Sequence, residues 1–171
     1  RLTSVENVTA VFGSYSSALS FAATQVTEMA GVPFFELGAV SDHITERDLS
    51  YVMRSNPTAR NFAEGTITAI TDIVSPSLKV DPKQLKVAII HEDALYGTTI
   101  AGFQKKIAQE QGLNVVEVLP YSAKAVDLSS LILRLKGAQA DVVLQTSYQN
   151  DTTLFFRQIH EAGFRPKAVI G

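Results

Sequence analysis

An α/β fold built on parallel sheets is what this sequence predicts, and three observations carry it. Short β-branched runs recur along the chain, each followed by a segment with helical spacing. In the second half, Val87, Val115, Val142 and Ala168 stand 28, 27 and 26 residues apart, about the length of a strand, a crossover helix and two loops. The runs Lys86-Val-Ala-Ile-Ile90 and Asp141-Val-Val-Leu144 are largely apolar, as expected of parallel strands covered on both faces.

Taken in order, strands are expected at Val8–Phe12, Val32–Phe35, Tyr51–Arg54, Lys86–His91, Val115–Tyr121, Val142–Gln145 and Ala168–Ile170. The first runs into the turn Phe12-Gly-Ser-Tyr-Ser-Ser17 and then a helix through Met29. Pro57 disfavours helix at Asn56, so Tyr51–Arg54 ends in an extended turn. A longer helix, roughly Ala59 to Val74, carries Phe62, Ile70 and Val74, and Ser75–Pro82 reads as a loop. In Thr98–Gln111, Ile100, Phe103 and Ile107 make one apolar face, as do Leu128, Leu131 and Leu135, then Phe155, Ile159 and Ala162. Gly31, Gly112, Gly137 and Gly163 each follow a helix, where a left-handed cap needs no Cβ. Asp127 and Asn150 are expected N-caps. A change of domain is expected near Arg54–Pro57, giving 1–55 and 56–171.

The 171 residues are 46% hydrophobic and 19% charged, enough to bury a sizeable core. Fifteen Lys and Arg against seventeen Asp and Glu leave a formal charge of −2 with no basic run, which argues against nucleic acid as a partner. No stretch approaches the roughly 18 continuous apolar residues of a membrane span. The absence of cysteine removes disulfides, thiolate metal sites and cysteine nucleophiles. The chain opens at Arg1 without an initiator Met or a signal-like segment. With only three strands ahead of the domain change, the expectation is a piece of a longer chain.

Gly13-Ser-Tyr-Ser-Ser17 invites three readings. A nucleophile elbow would read G-x-S-x-G, but no second glycine follows, and the candidate bases are His43, His91 and His160. A phosphate loop is disfavoured because neither G-x-x-x-x-G-K-[ST] nor G-x-G-x-x-G occurs. A ligand cradle is the third reading. Ser16 and Ser17 stand at a helix N-terminus, where either can cap the helix, and the free N–H groups there suit a small carboxylate. His91-Glu-Asp93 ends a strand, the usual ligand position in open α/β sheets, yet three consecutive side chains do not converge on one ion. A solvated loop with helix-start acids is the expectation there.

Five segments together resemble the type I periplasmic substrate-binding proteins of ABC importers, in the branch of the leucine/isoleucine/valine-binding proteins. They are FGSYSSALSFAATQVTEMAGVPFF, GAVSDHITER, YVMRSNPTA, KVAIIHEDALYGTTIAGF and ADVVLQTSYQND. The resemblance spans nearly the whole chain. It implies part of lobe I in residues 1–55, most of lobe II in 56–171, a hinge crossing near 54–57, and ligand binding in an interlobe cleft. It places Ser17 on the ligand's carboxylate, Tyr15 and Ser16 on the same wall, and Gly38 and Ala39 in the loop whose backbone holds the ligand's charged groups. Tyr96 and Tyr148 match the aromatics that cover the ligand, with half-buried packing as the alternative for each. Val40 stands where the family usually places a Thr, and the acid that pairs with a ligand's amino group in the family is expected past Gly171, which leaves branched-chain or other amino acids and aromatic or aliphatic acids as expected ligands.

The implied function is solute binding for an ABC importer, with the membrane permease as partner and a periplasmic or lipoprotein location. No catalytic residue, cofactor or metal is implied. A sensor domain of a receptor or regulator and a Ser17 hydrolase are the rivals. An open edge on the first sheet is a place for a second copy to pair as a homodimer.

Overall fold

The computed structural model describes all 171 residues, which divide into two compact units, 1–59 and 60–171. In the first unit, β1 (Val11–Phe12), β2 (Phe34–Glu36) and β3 (Val52–Arg54) form a parallel sheet in the order β1-β2-β3. The helix α1 (Ser17–Met29) makes the crossover from β1 to β2, and a single 3-10 turn (Asp42–Ile44) lies between β2 and β3. The register sets Phe12 beside Phe35, with their rings stacked 4.8 Å apart, and Glu36 beside Arg54.

The burial of α1 reverses the usual amphipathic pattern. Ser17, Ser20, Thr24 and Thr27 are buried, whereas Leu19, Val26 and Met29 are exposed. Helix carbonyls take up two of these hydroxyls: Thr24 Oγ1 donates to Ser20 O at 2.7 Å, and Thr27 Oγ1 to Thr24 O at 3.2 Å.

The second unit is a parallel sheet in the order β5-β4-β6-β7, made of β4 (Lys86–Glu92), β5 (Asn114–Tyr121), β6 (Val142–Thr146) and β7 (Ala168–Ile170). Its helices are α2 (Ala59–Ala69), α3 (Ser75–Leu78), α4 (Leu95–Glu110), α5 (Ser129–Gly137) and α6 (Gln149–Glu161). Side chains of a strand alternate between faces, and β4 shows the result. Val87 and Ile89 pack with Ile67 and Ile70 of the α2 segment and Ala101 and Ala108 of α4. Ala88 and Ile90 pack with Leu131 and Leu135 of α5 and Phe155 and Ile159 of α6. Both faces of the sheet are covered, which accounts for the apolar runs, each fully buried Leu or Ile contributing about 1.5–3 kcal/mol.

Four local expectations change. Ser75–Pro82 is not all loop: α2 passes through a π-helical stretch (Ile70–Val74) into α3, which ends at Lys79 in the left-handed region (φ 54°). Gly31, Gly112 and Gly163 do adopt positive φ, but Gly137 stays inside α5, and Gln139 (φ 54°) makes the left-handed turn. Asn150 is not a cap, because α6 starts a residue earlier and Asp151 turns back onto the Tyr148 N–H. Asp127 does cap, accepting the Ser129 N–H at 2.9 Å, though Leu128 takes the N-cap position. No helix is long and apolar enough to cross a membrane.

Asp141 joins the N-terminal ends of β4 and β6, its Oδ2 accepting the Lys86 N–H at 2.9 Å while Lys167 Nζ lies 3.0 Å from Oδ1. Burial works against the charge on Asp141, but the Lys86 N–H and the Lys167 ammonium outweigh it and hold the carboxyl below its usual value. A depressed folded-state pKa gives stability that is present above the ordinary carboxylate range and lost as pH falls through the folded value. Asp141→Asn is therefore expected to cost about 0.5–1 kcal/mol near pH 7 and less in acid. Urea unfolding at several pH values checks this, and an unchanged acid dependence contradicts it.

Candidate functional site

In the first unit the geometry is organised by Glu36, the last residue of β2, which is completely buried (0% exposed). A buried carboxylate is costly unless hydrogen-bonded, and Glu36 is well supplied. Its Oε1 accepts the N–H groups of Gly38 at 2.9 Å and Ala39 at 2.7 Å, and Oε2 accepts the Ser14 N–H at 3.4 Å. Arg54, its neighbour across the strands, holds the opposite polarity of the same loop. Nη1 donates to Val40 O at 3.1 Å and Nη2 to Ser41 O at 2.6 Å, while Asn56 Nδ2 donates to Ala39 O at 3.0 Å. Burial pulls the Arg54 guanidinium below its usual value, against the opposing pull of Asp42, Glu36 and Glu46. The 38–41 loop is thus fixed through donors and acceptors alike.

Ser17 opens α1 and is almost completely buried (1% exposed), with its Oγ accepting the Ser41 N–H at 3.2 Å. Ser16 is the N-cap by position but makes no side-chain capping bond. Tyr15 is largely exposed (77%). A Cβ on Gly38 would lie 3.0 Å from Ser14 O and 3.4 Å from the Tyr15 Cα, so the turn after β1 and the turn after β2 touch. Tyr15, Ser16, Ser17, Gly38 and Ala39 therefore lie together at the C-terminal ends of β1 and β2, with Ser17 and Ala39 buried. For a hydrolase Ser17 needs a base, but the hydroxyl's partner is a backbone N–H, and His43 instead lies beside Glu46 at 3.6 Å.

In the second unit the tyrosines Tyr96 and Tyr148 come together, with ring centroids 5.2 Å apart and planes tilted by 42°. Each stands at the start of a helix held by a buried carboxylate. Glu92 accepts the N–H groups of Ala94 at 2.8 Å and Gly97 at 2.6 Å, on either side of Tyr96. Position 97 has no room for a side chain, since a Cβ would meet Glu92 O at 2.1 Å. Asp151 accepts the Tyr148 N–H at 2.9 Å and the Tyr121 hydroxyl at 2.7 Å. Burial first, and then Asp151, push the Tyr121 phenol well above its usual value. The expectation of a solvated His91-Glu-Asp93 loop holds only for the exposed Asp93. Glu92 is buried with its carboxylate committed to α4, and His91 Nδ1 lies 2.8 Å from Glu92 O.

Sequence reasoning missed Glu36, Arg54, Glu92 and Asp151 as organising residues. One signal was available: a carboxylate closing an apolar strand, with glycine two or five residues on, as at Glu36/Gly38 and Glu92/Gly97.

A family model described as periplasmic binding protein matches residues 1–171. The chain is 52% identical over 171 residues to the Leu/Ile/Val-binding protein homolog 7 of Brucella abortus (strain 2308), covering 100% of this chain and 43% of that protein. It is 50% identical to homolog 8 of Brucella suis biovar 1 (strain 1330), covering 100% of this chain and 42% of the relative. The chain thus spans less than half the length of these curated relatives. Among solved structures, a leucine binding protein from Thermotoga maritima MSB8 superposes with TM-score 0.86 at 20% identity, over 97% of this chain and 45% of that one. A solute binding protein of an ABC transporter from R. palustris, in complex with 4-hydroxybenzoate, gives 0.79 at 24% identity, over 95% and 42%. At these identities the structures establish a shared fold.

Two substitutions test the hydrogen-bond assignments. Tyr121→Phe leaves a buried Asp151 oxygen without its donor and is expected to cost about 1–3 kcal/mol in urea unfolding. Arg54→Met withdraws the donors to Val40 O and Ser41 O, with a similar expected cost of about 1–3 kcal/mol. Wild-type stability in either variant contradicts the corresponding assignment.

Proposed function

The chain belongs to the periplasmic binding protein family, and on that premise we propose that it is part of the solute-binding component of an ABC importer. The two units then correspond to portions of the family's two lobes. Ligand contacts come from Tyr15, Ser16, Ser17, Gly38 and Ala39 in the first unit and from Tyr96 and Tyr148 in the second. The solute is a small organic molecule of the size of an amino acid or a hydroxybenzoate. The protein binds it without transforming it, works in the periplasm or as a surface lipoprotein, and delivers it to a membrane permease.

The observation that carries this reading is the tyrosine pair. Tyr96 and Tyr148 meet at the C-terminal ends of parallel strands, where open α/β sheets take ligands, and their backbones are fixed by Glu92 and Asp151. Aromatic faces held in advance lose little freedom on binding.

Native mass spectrometry of the full-length protein, purified from its host, is expected to show a retained solute. Calorimetry with that solute then tests the ring contacts: Tyr96→Ala and Tyr148→Ala should each weaken binding by about tenfold or more, near the 1.5 kcal/mol lower bound for a large apolar contact. Unchanged affinity in both variants overturns the assignment.

A further inference from the structure

The two tyrosines of the second unit trace back to one pair of neighbouring strand ends. Glu92, the last residue of β4, stands in register beside Tyr121, the last residue of β5. Glu92 fixes the amides on either side of Tyr96. Tyr121 reaches the other tyrosine by a relay. Its hydroxyl donates to Asp151 Oδ2 at 2.7 Å, and Asp151 Oδ1 accepts the Tyr148 N–H at 2.9 Å. The same hydroxyl lies 3.4 Å from Thr146 O, at the end of β6 and just ahead of Tyr148. Both side chains of the relay are enclosed, Tyr121 at 7% exposure and Asp151 at 2%. A carboxylate whose two oxygens serve two different donors is fixed in orientation by that division. Asp151 lies in the first turn of α6, so its orientation governs how the chain enters that helix at Tyr148. Without the Tyr121 hydroxyl, one buried Asp151 oxygen lacks its donor, and the carboxylate is free to turn away from the Tyr148 N–H.

We propose that Tyr121 is a positioning residue for solute recognition: acting through Asp151, it holds the backbone of Tyr148 so that the Tyr148 ring stays against Tyr96. The inference rests on the reading of Tyr148 as a solute contact and goes beyond it, because the geometry of that ring is assigned to a residue on another strand. A contact residue is only as well placed as the groups that lock it from behind. The register of Glu92 with Tyr121 then gives both tyrosines a common base, one supported from β4 and the other from β5.

The test is a double-mutant cycle in the full-length protein. Wild type, Tyr121→Phe, Tyr148→Ala and the double variant are titrated by calorimetry with leucine and with 4-hydroxybenzoate. Tyr121→Phe is expected to weaken binding about fivefold in the wild-type background and less than about twofold in the Tyr148→Ala background. An equal loss in both backgrounds, or no loss in the wild-type background, overturns the proposal and leaves solute binding intact. Unchanged affinity in Tyr148→Ala instead removes the solute contact, and the positioning role falls with it. NMR reads the same link without solute: the nuclear Overhauser contact between the Tyr96 and Tyr148 rings should be present in wild type and weakened in Tyr121→Phe. Full retention of that contact in the folded variant counts against the proposal, and this measurement decides if neither compound binds. Should Tyr121→Phe fail to fold, the wild-type spectrum decides: a slowly exchanging Tyr121 hydroxyl proton together with the ring contact supports the relay, and the absence of either sinks it.

Discussion

A single buried carboxylate sets the geometry of the first unit. Glu36 ends β2 inside the protein, and its charge is tolerated because backbone amides from two turns converge on it and Arg54 lies beside it in register. Arg54 in turn grips the carbonyls of the same loop. One strand pairing therefore dictates where residues 38–41 run, and Ser41 carries the constraint on to Ser17 and the start of α1. The loop is accordingly held in place by the chain's own groups, its amides by Glu36 and its carbonyls by Arg54 and Asn56.

The second unit repeats the device. Glu92 reaches forward, and Asp151 turns back, onto amides at the start of a helix, and one of the paired tyrosines stands at each of those starts. Parallel sheets bring strand ends and helix starts together on one side, leaving N–H groups that need acceptors. Here the chain supplies the acceptors itself, through Glu92 and Asp151.

Much of the fold was legible in the sequence because it follows from burial. Sheets covered on both faces demand apolar runs at crossover spacing, and Val87, Val115, Val142 and Ala168 supplied them. The positive φ of Gly31, Gly112 and Gly163 was legible for the same kind of reason, since a left-handed turn has a steric signature. Gly137 lacked that logic because Gln139 took the strained position. Asn150 misled because the acceptor that matters, Asp151, lies one residue on. The grouping of Tyr15, Ser16 and Ser17 with Gly38 and Ala39 came from family resemblance, whereas Glu36 stayed hidden. A carboxylate after an apolar strand reads as the point where the chain meets water, and only the three-dimensional arrival of the Ser14, Gly38 and Ala39 amides makes it an interior residue.

The most direct measurement of this arrangement is amide hydrogen exchange of Gly38 and Ala39 by NMR in the full-length protein, before and after solute is added. With Glu36 as their standing acceptor, both amides should be protected in the free protein and change little in protection or chemical shift on binding. Fast exchange in the free protein, with protection acquired only when solute binds, would show that the ligand takes these amides and that Glu36 does not.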